Sequence, residues 1–151
     1  MIARRDDDSG SAIVEFVFLA VVLLVPLIYV VAAVADLQRN TLAVTQAARA
    51  AGRAFATSDT PEQAQARVRA AVRLALTGQG VPDDATVRYV PAGADCSGQA
   101  VIPRLAPGAE FTVCVRRHAY LPAVPTILSG KGITVTGVYV VHVDDYRAAS
   151  S

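Results

Sequence analysis

The residues able to do chemistry are few and mostly isolated. The chain of 151 residues has two cysteines, Cys96 and Cys114. A metal site needs more ligands than these and the distant His118 and His142 supply. The thiols form a disulfide if this part of the chain lies outside the reducing cytoplasm; otherwise they stand as two free, partly buried cysteines. A bridge over a loop of this length restricts the unfolded chain by about 3 kcal/mol on the entropic model. His118 and His142 fall at strand ends and read as surface residues rather than as a base or a ligand. Asp144-Asp145 could face a cation, but reads as a solvated chain end. No Ser/His/Asp spacing, phosphate-cradling glycine loop or acid pair in a pocket is visible. The expectation is a protein that is not an enzyme, with no cofactor and no bound metal.

Glu15 differs from these, because its surroundings are apolar. Ala12, Ile13 and Val14 precede it, and an uncharged run from Phe16 to Ala35 follows. An acid at the centre of a bilayer costs about 2.5–3.5 kcal/mol on insertion scales, and less near the interface. It reads either as a helix N-terminal charge at headgroup level, favoured by the macrodipole, or as the partner of a positive charge on another chain.

The element that must carry Glu15 is a long apolar helix. Apolar residues make up 53% of the chain and charged ones 18%, which excludes a disordered protein. The apolar excess is concentrated in Phe16–Ala35. About 20 residues at 1.5 Å rise match a hydrocarbon core of roughly 30 Å, and a helix satisfies its own backbone in lipid. Pro26 frees the carbonyl of Val22 and reads as a kink. Ala33-Val34-Ala35 has the form of a signal-peptidase site. The run is longer than a signal's apolar region, however, and its flank mixes Arg4 and Arg5 with Asp6, Asp7 and Asp8. Net charge is +1, and the tyrosines are scattered without a basic platform, so nucleic acid is not an expected partner.

Gly10-Ser11-Ala12-Ile13-Val14-Glu15-Phe16 resembles the processing site of type IV pilin precursors. More finely, it is similar to the TadE-like pseudopilins, or minor pilins, of the tight-adherence (Flp) pilus system. The similarity runs from Gly10 to about Ala56 and includes the Ala/Arg-rich stretch Thr45–Ala54. The resemblance implies a leader over residues 1–10, cut between Gly10 and Ser11 by a prepilin peptidase on the cytoplasmic side. Glu15 would then be the register acid, paired with the Ser11 amine of a neighbouring subunit. The implied partners are the membrane, pilin-like subunits and the pilus assembly machinery. Arg4 and Arg5 on one flank and Arg39, Arg49 and Arg53 on the other do not orient the span by themselves. The processing site and the cysteine pair put the N-terminus in the cytoplasm and the C-terminal domain outside, in a single-pass membrane protein that enters or assists a surface pilus.

Beyond Asp36 the helix is expected to continue to about Phe55. Leu37, Val44, Ala48, Ala51 and Phe55 form one stripe, with Arg39, Arg49 and Arg53 elsewhere on the circumference. Thr60, Pro61 and Gln63 signal the start of a second helix, running to Thr77 with Gly78 as its stop. Ala64, Val68, Ala71, Val72 and Ala75 give its apolar face. Arg67, Arg69 and Arg73 make it basic, a solvated face or a contact for anionic lipid or an acidic subunit. From Asp84 the period changes to two. Ala85, Val87 and Tyr89 share a face, as do Phe111, Val113 and Val115, and then Ile133, Val135, Tyr139, Val141 and Val143. Gln99–Ile102 would be a fourth strand. Pro107-Gly108 marks a turn, and Pro122, Pro125 and Gly130 a longer loop.

The fold class expected is α+β: a long N-terminal transmembrane helix over residues 11–56 that continues into an exposed stalk, then a head over 57–151 with a second helix and an antiparallel sheet of three to four strands. Two other uses of such a chain are a membrane-tethered extracytoplasmic binding or sensor domain, and a secreted small domain cut after Ala35.

Overall fold

The computed structural model describes residues 8–120 and 132–146. The expected loop at Pro122, Pro125 and Gly130 lies outside the described residues. Helix α1 spans Asp8–Ala56 and carries Pro26 inside it. Helix α2 spans Pro61–Gly78. Strands β1 (Thr86–Pro91), β2 (Glu110–Ala119) and β3 (Ile133–His142) form one antiparallel sheet in the order β1-β2-β3. The chain is α+β. It divides into two compact units between Ala35 and Asp36, so the second half of α1 belongs to the same unit as the sheet.

In the first unit, α1 is long and apolar enough to cross a membrane. Its most apolar stretch has a mean hydropathy of 3.0, and none of that stretch is buried by the rest of the chain. A helix with apolar side chains around its whole circumference has no core-facing stripe to select, so only an apolar surrounding or further helices can cover it.

The second unit has an ordinary core. The stripe expected on α1 faces the sheet of its own chain: Val44, Ala48, Ala51 and Phe55 are buried and Leu37 is partly so. Ala43, Ala47 and Gly52 widen this face with small residues, which lets backbones approach closely. A Cβ on Gly52 would overlap the ring of Tyr139, and one on Gly137 would overlap the carbonyl of Val44. Helix α1 therefore lies directly against β3.

Helix α2 begins as its sequence dictates. Thr60 Oγ1 accepts from the Gln63 N–H at 3.2 Å, while Gln63 Oε1 accepts from the Asp59 N–H at 2.9 Å. Its end lies later than expected. Gly78 is still helical, and Gly80, with φ +66°, makes the turn. The N–H of Gly80 bonds the carbonyl of Thr77 and that of Val81 bonds Leu76, each at 3.0 Å. This is a Schellman closure, and it needs a positive φ at the residue that follows the cap. It tucks Val81 onto Leu76, and both are buried. Ala64, Val68, Val72 and Leu76 form the buried face.

In the sheet, Phe111, Val113 and Val115 face the helices, with Val135, Tyr139 and Val141 beside them. Phe55, Tyr89 and Phe111 pack their rings with centroids 4.9–6.0 Å apart. Residues 99–102 do not form a fourth strand; the segment makes one ladder-like bond, from the Val101 N–H to the carbonyl of Tyr89 at 2.9 Å. The Pro107-Gly108 turn is present, with Gly108 at φ +68°.

Candidate functional site

Gly10, Ser11 and Glu15 all lie in the first turns of α1. Glu15 has no ion pair or hydrogen bond among the described residues. Its neighbours Ile13, Val14, Phe16 and Val17 are all more than half exposed. The segment thus presents an acid and an apolar surface together, with no described side chain placed to neutralise that acid.

Cys96 and Cys114 are joined in a disulfide, with Cα atoms 5.8 Å apart. The bond ties the loop after β1 to the face of β2 that points away from the helices. Val90 and both cysteines form a small second core there. The Gly93 N–H donates to Thr112 Oγ1 at 3.0 Å, so a second contact fixes the same loop. Without this cover Cys114 and Thr112 would stand on an open sheet face; both are fully buried.

The residues that sequence reasoning missed form a polar network. Arg117 follows Phe111, Val113 and Val115 on the helix-facing side of β2 and is 6% exposed. Its Nε donates to Asp84 Oδ1 at 2.7 Å and its Nη2 to Oδ2 at 3.1 Å. Its Nη1 donates to the side-chain oxygen of Asn40. Asn40 Nδ2 in turn donates to the backbone oxygen of Asp36 at 2.8 Å and to its Oδ2 at 3.1 Å. The network joins α1, the segment before β1, and β2. The Arg117 hydrogen bonds hold the Asp84 carboxyl below its ordinary 3.8, against a smaller opposing effect of burial. The signal was present in the period of two, which puts an arginine on the buried face, where it must find a partner.

His118 and His142 are on the surface, as expected. His118 Nδ1 lies 3.2 Å from Thr134 Oγ1. His142 sits between two acids, with Nδ1 3.1 Å from Glu110 Oε1 and Nε2 3.4 Å from Asp145 Oδ2. Hydrogen bonding to Glu110, and then to Asp145, raises its pKa above 6.5. Asp144 Oδ1 accepts from the Tyr146 N–H at 2.9 Å. The two aspartates therefore serve the chain turn and the histidine. Among the described residues no group of three His, Cys, Asp or Glu is placed to hold a metal ion. Burial raises the Tyr89 pKa, although its hydroxyl donates to Gln65 Oε1 at 3.2 Å.

A cleft of about 490 Å3 lies on the outer face of the sheet between the disulfide-pinned loop and β2 and β3. Arg116, Thr136 and Val138 line it from the sheet, and Asp95 and Ser97 from the loop. A smaller one of about 190 Å3 lies beside the Arg117 network and includes Asp36 and Tyr120. No protein-family model, curated protein or solved structure matches the chain.

Proposed function

We propose that the chain is a membrane-anchored, pilin-like assembly protein of the TadE-like kind, acting in a tight-adherence pilus system rather than catalysing a reaction. One observation supports this most: a single helix carries both an uncovered apolar stretch with Glu15 at its head and, further along, the inner face of a folded unit. A plain tether tolerates an acid at its helix start but does not require one. In the pilin-like reading the chain inserts with its N-terminus in the cytoplasm, a prepilin peptidase cuts after Gly10, and the apolar stretch then leaves lipid for contact with sister helices. Contact between apolar helices offsets the loss of lipid, and the Glu15 carboxylate meeting a free Ser11 amine sets the register. The disulfide suits a C-terminal unit held outside the cytoplasm.

N-terminal sequencing and intact mass of the protein from its native host test the reading. A chain starting at Ser11 is the expected result. A start at Asp36 would make it a secreted domain, and a start at Met1 would leave a membrane tether. Glu15→Ala is expected to insert normally and to drop out of the assembled fraction; normal incorporation of that variant would argue against the register role.

A further inference from the structure

The two edges of the sheet are not alike. β1 is six residues long, ends at Pro91, and gives the Tyr89 carbonyl to Val101. β3 is ten residues long, with neither proline nor charge from Ile133 to Val141. Edge strands usually carry such guards, because a row of unpaired N–H and C=O groups invites another strand. Among the described residues only β2 pairs with β3. In an antiparallel pair, alternate residues turn their polar backbone groups away from the partner, here toward the open side.

The outer face beside this edge is equally unfinished. Val138 and Val140 are each 50% exposed. Arg116 lies directly across from Thr136 in the β2–β3 register and lines the 490 Å3 cleft with Thr136 and Val138. Arg116 is half-buried, yet its guanidinium has no hydrogen bond or ion pair among the described residues. Arg117, by contrast, pairs with Asp84, and Arg73 with Asp83. Only the small Thr136 stands between Arg116 and the open edge.

We infer that the β3 edge is a docking site for an extended segment of another protein, added as a fourth strand, with an acidic residue opposite Thr136 that pairs with Arg116 and an apolar residue opposite Val138. Backbone hydrogen bonds supply affinity in such strand addition, and alternate side chains supply choice of partner. A second copy of this chain fits poorly. Pairing β3 with β3 about a two-fold axis would bring two α1 helices, each lying against its own β3, about one strand spacing of 4.8 Å apart, whereas packed helices need roughly 8–10 Å. The inference does not depend on how the apolar stretch of α1 is used.

The test uses the full chain in detergent micelles and a fluorescent nine-residue peptide of alternating threonine and valine. One valine is replaced by aspartate, two places from the next valine on the same face. The aspartate peptide is expected to bind, and its asparagine counterpart to bind about tenfold more weakly. Arg116→Gln should erase that difference, and Val138→Lys should weaken both peptides, with the melting of both variants unchanged. Absence of binding, equal affinity for the two peptides, or a difference that survives Arg116→Gln would overturn the proposal. So would a dimer of the chain that Val138→Lys disperses, which would assign the edge to a second copy.

Discussion

Gly137 of β3 lies against the carbonyl of Val44 on α1 with no space for a side chain between them. The contact is backbone to backbone, so neither side can yield by changing a rotamer. Overpacking of this kind costs about 1–3 kcal/mol. Gly137→Ala is therefore expected to lower the melting temperature of the C-terminal unit clearly. Gly52→Ala, which meets the side chains of Tyr139 and Val141, should cost less. Thermal denaturation followed by circular dichroism ranks the two, and equal effects would contradict the close approach.

The Arg117 network should make stability sensitive to acid. Asp84 has its folded pKa below the unfolded value of 3.8. Its contribution is fully present above that value and is lost as the pH falls through the lowered folded pKa. Arg117→Met should destabilise the unit by about 1–3 kcal/mol, because the Asn40 oxygen and the Asp84 carboxylate lose their donor. It should also remove the part of the acid sensitivity that comes from Asp84. Urea titrations at neutral pH and between pH 2 and 5 read both effects.

His142 works in the opposite direction. Its folded pKa is raised above 6.5, so its contribution is present below 6.5 and is lost as the pH rises through the folded value. An NMR titration of the imidazole should give a midpoint above 6.5. Glu110→Gln, which removes the larger of the two raising interactions, should move that midpoint back down. A midpoint that ignores Glu110→Gln would mean the contact is absent in solution.

Breaking the Cys96–Cys114 bond should cost about 3 kcal/mol on the chain-entropy model. The double variant Cys96→Ser/Cys114→Ser would release the loop after β1 and expose Thr112 and residue 114. Faster amide exchange should appear at Val90, Gly93 and Thr112 and not in α2. Exchange that stays slow at Gly93 would show that its bond to Thr112 holds the loop without the bridge.

The elements that local chemistry decides were legible in the sequence. Thr60, Pro61 and Gln63 name a helix start whatever lies around them, and the period of two placed Phe111, Val113 and Val115 on one face. Two thiols leave one intramolecular pairing, but whether they join depends on the redox compartment, which their spacing does not carry. Less was legible where a distant partner decides. Gly78 carried the expected stop signal, yet the helix runs through it to a turn at Gly80, because burying Leu76 and Val81 favours the later closure. Residues 99–102 have strand-like composition but pair at one point only. Arg117 needed three segments, far apart in sequence, to satisfy its charge. Among the candidate site residues, Cys96 and Cys114 meet in the fold. Gly10, Ser11 and Glu15 share the start of α1, and the roles proposed for them would depend on molecules other than this chain.

The meeting of α1 with β3 also sets an order of events. The second half of α1 receives its cover from β3, which follows it by some eighty residues, so this unit cannot close until β3 has been made. Contacts between segments so distant in sequence make folding slow. Until then the small-residue face of α1 and the inner faces of β1 and β2 remain open. A unit whose core waits for β3 remains unfolded and exposed to premature association until that strand arrives.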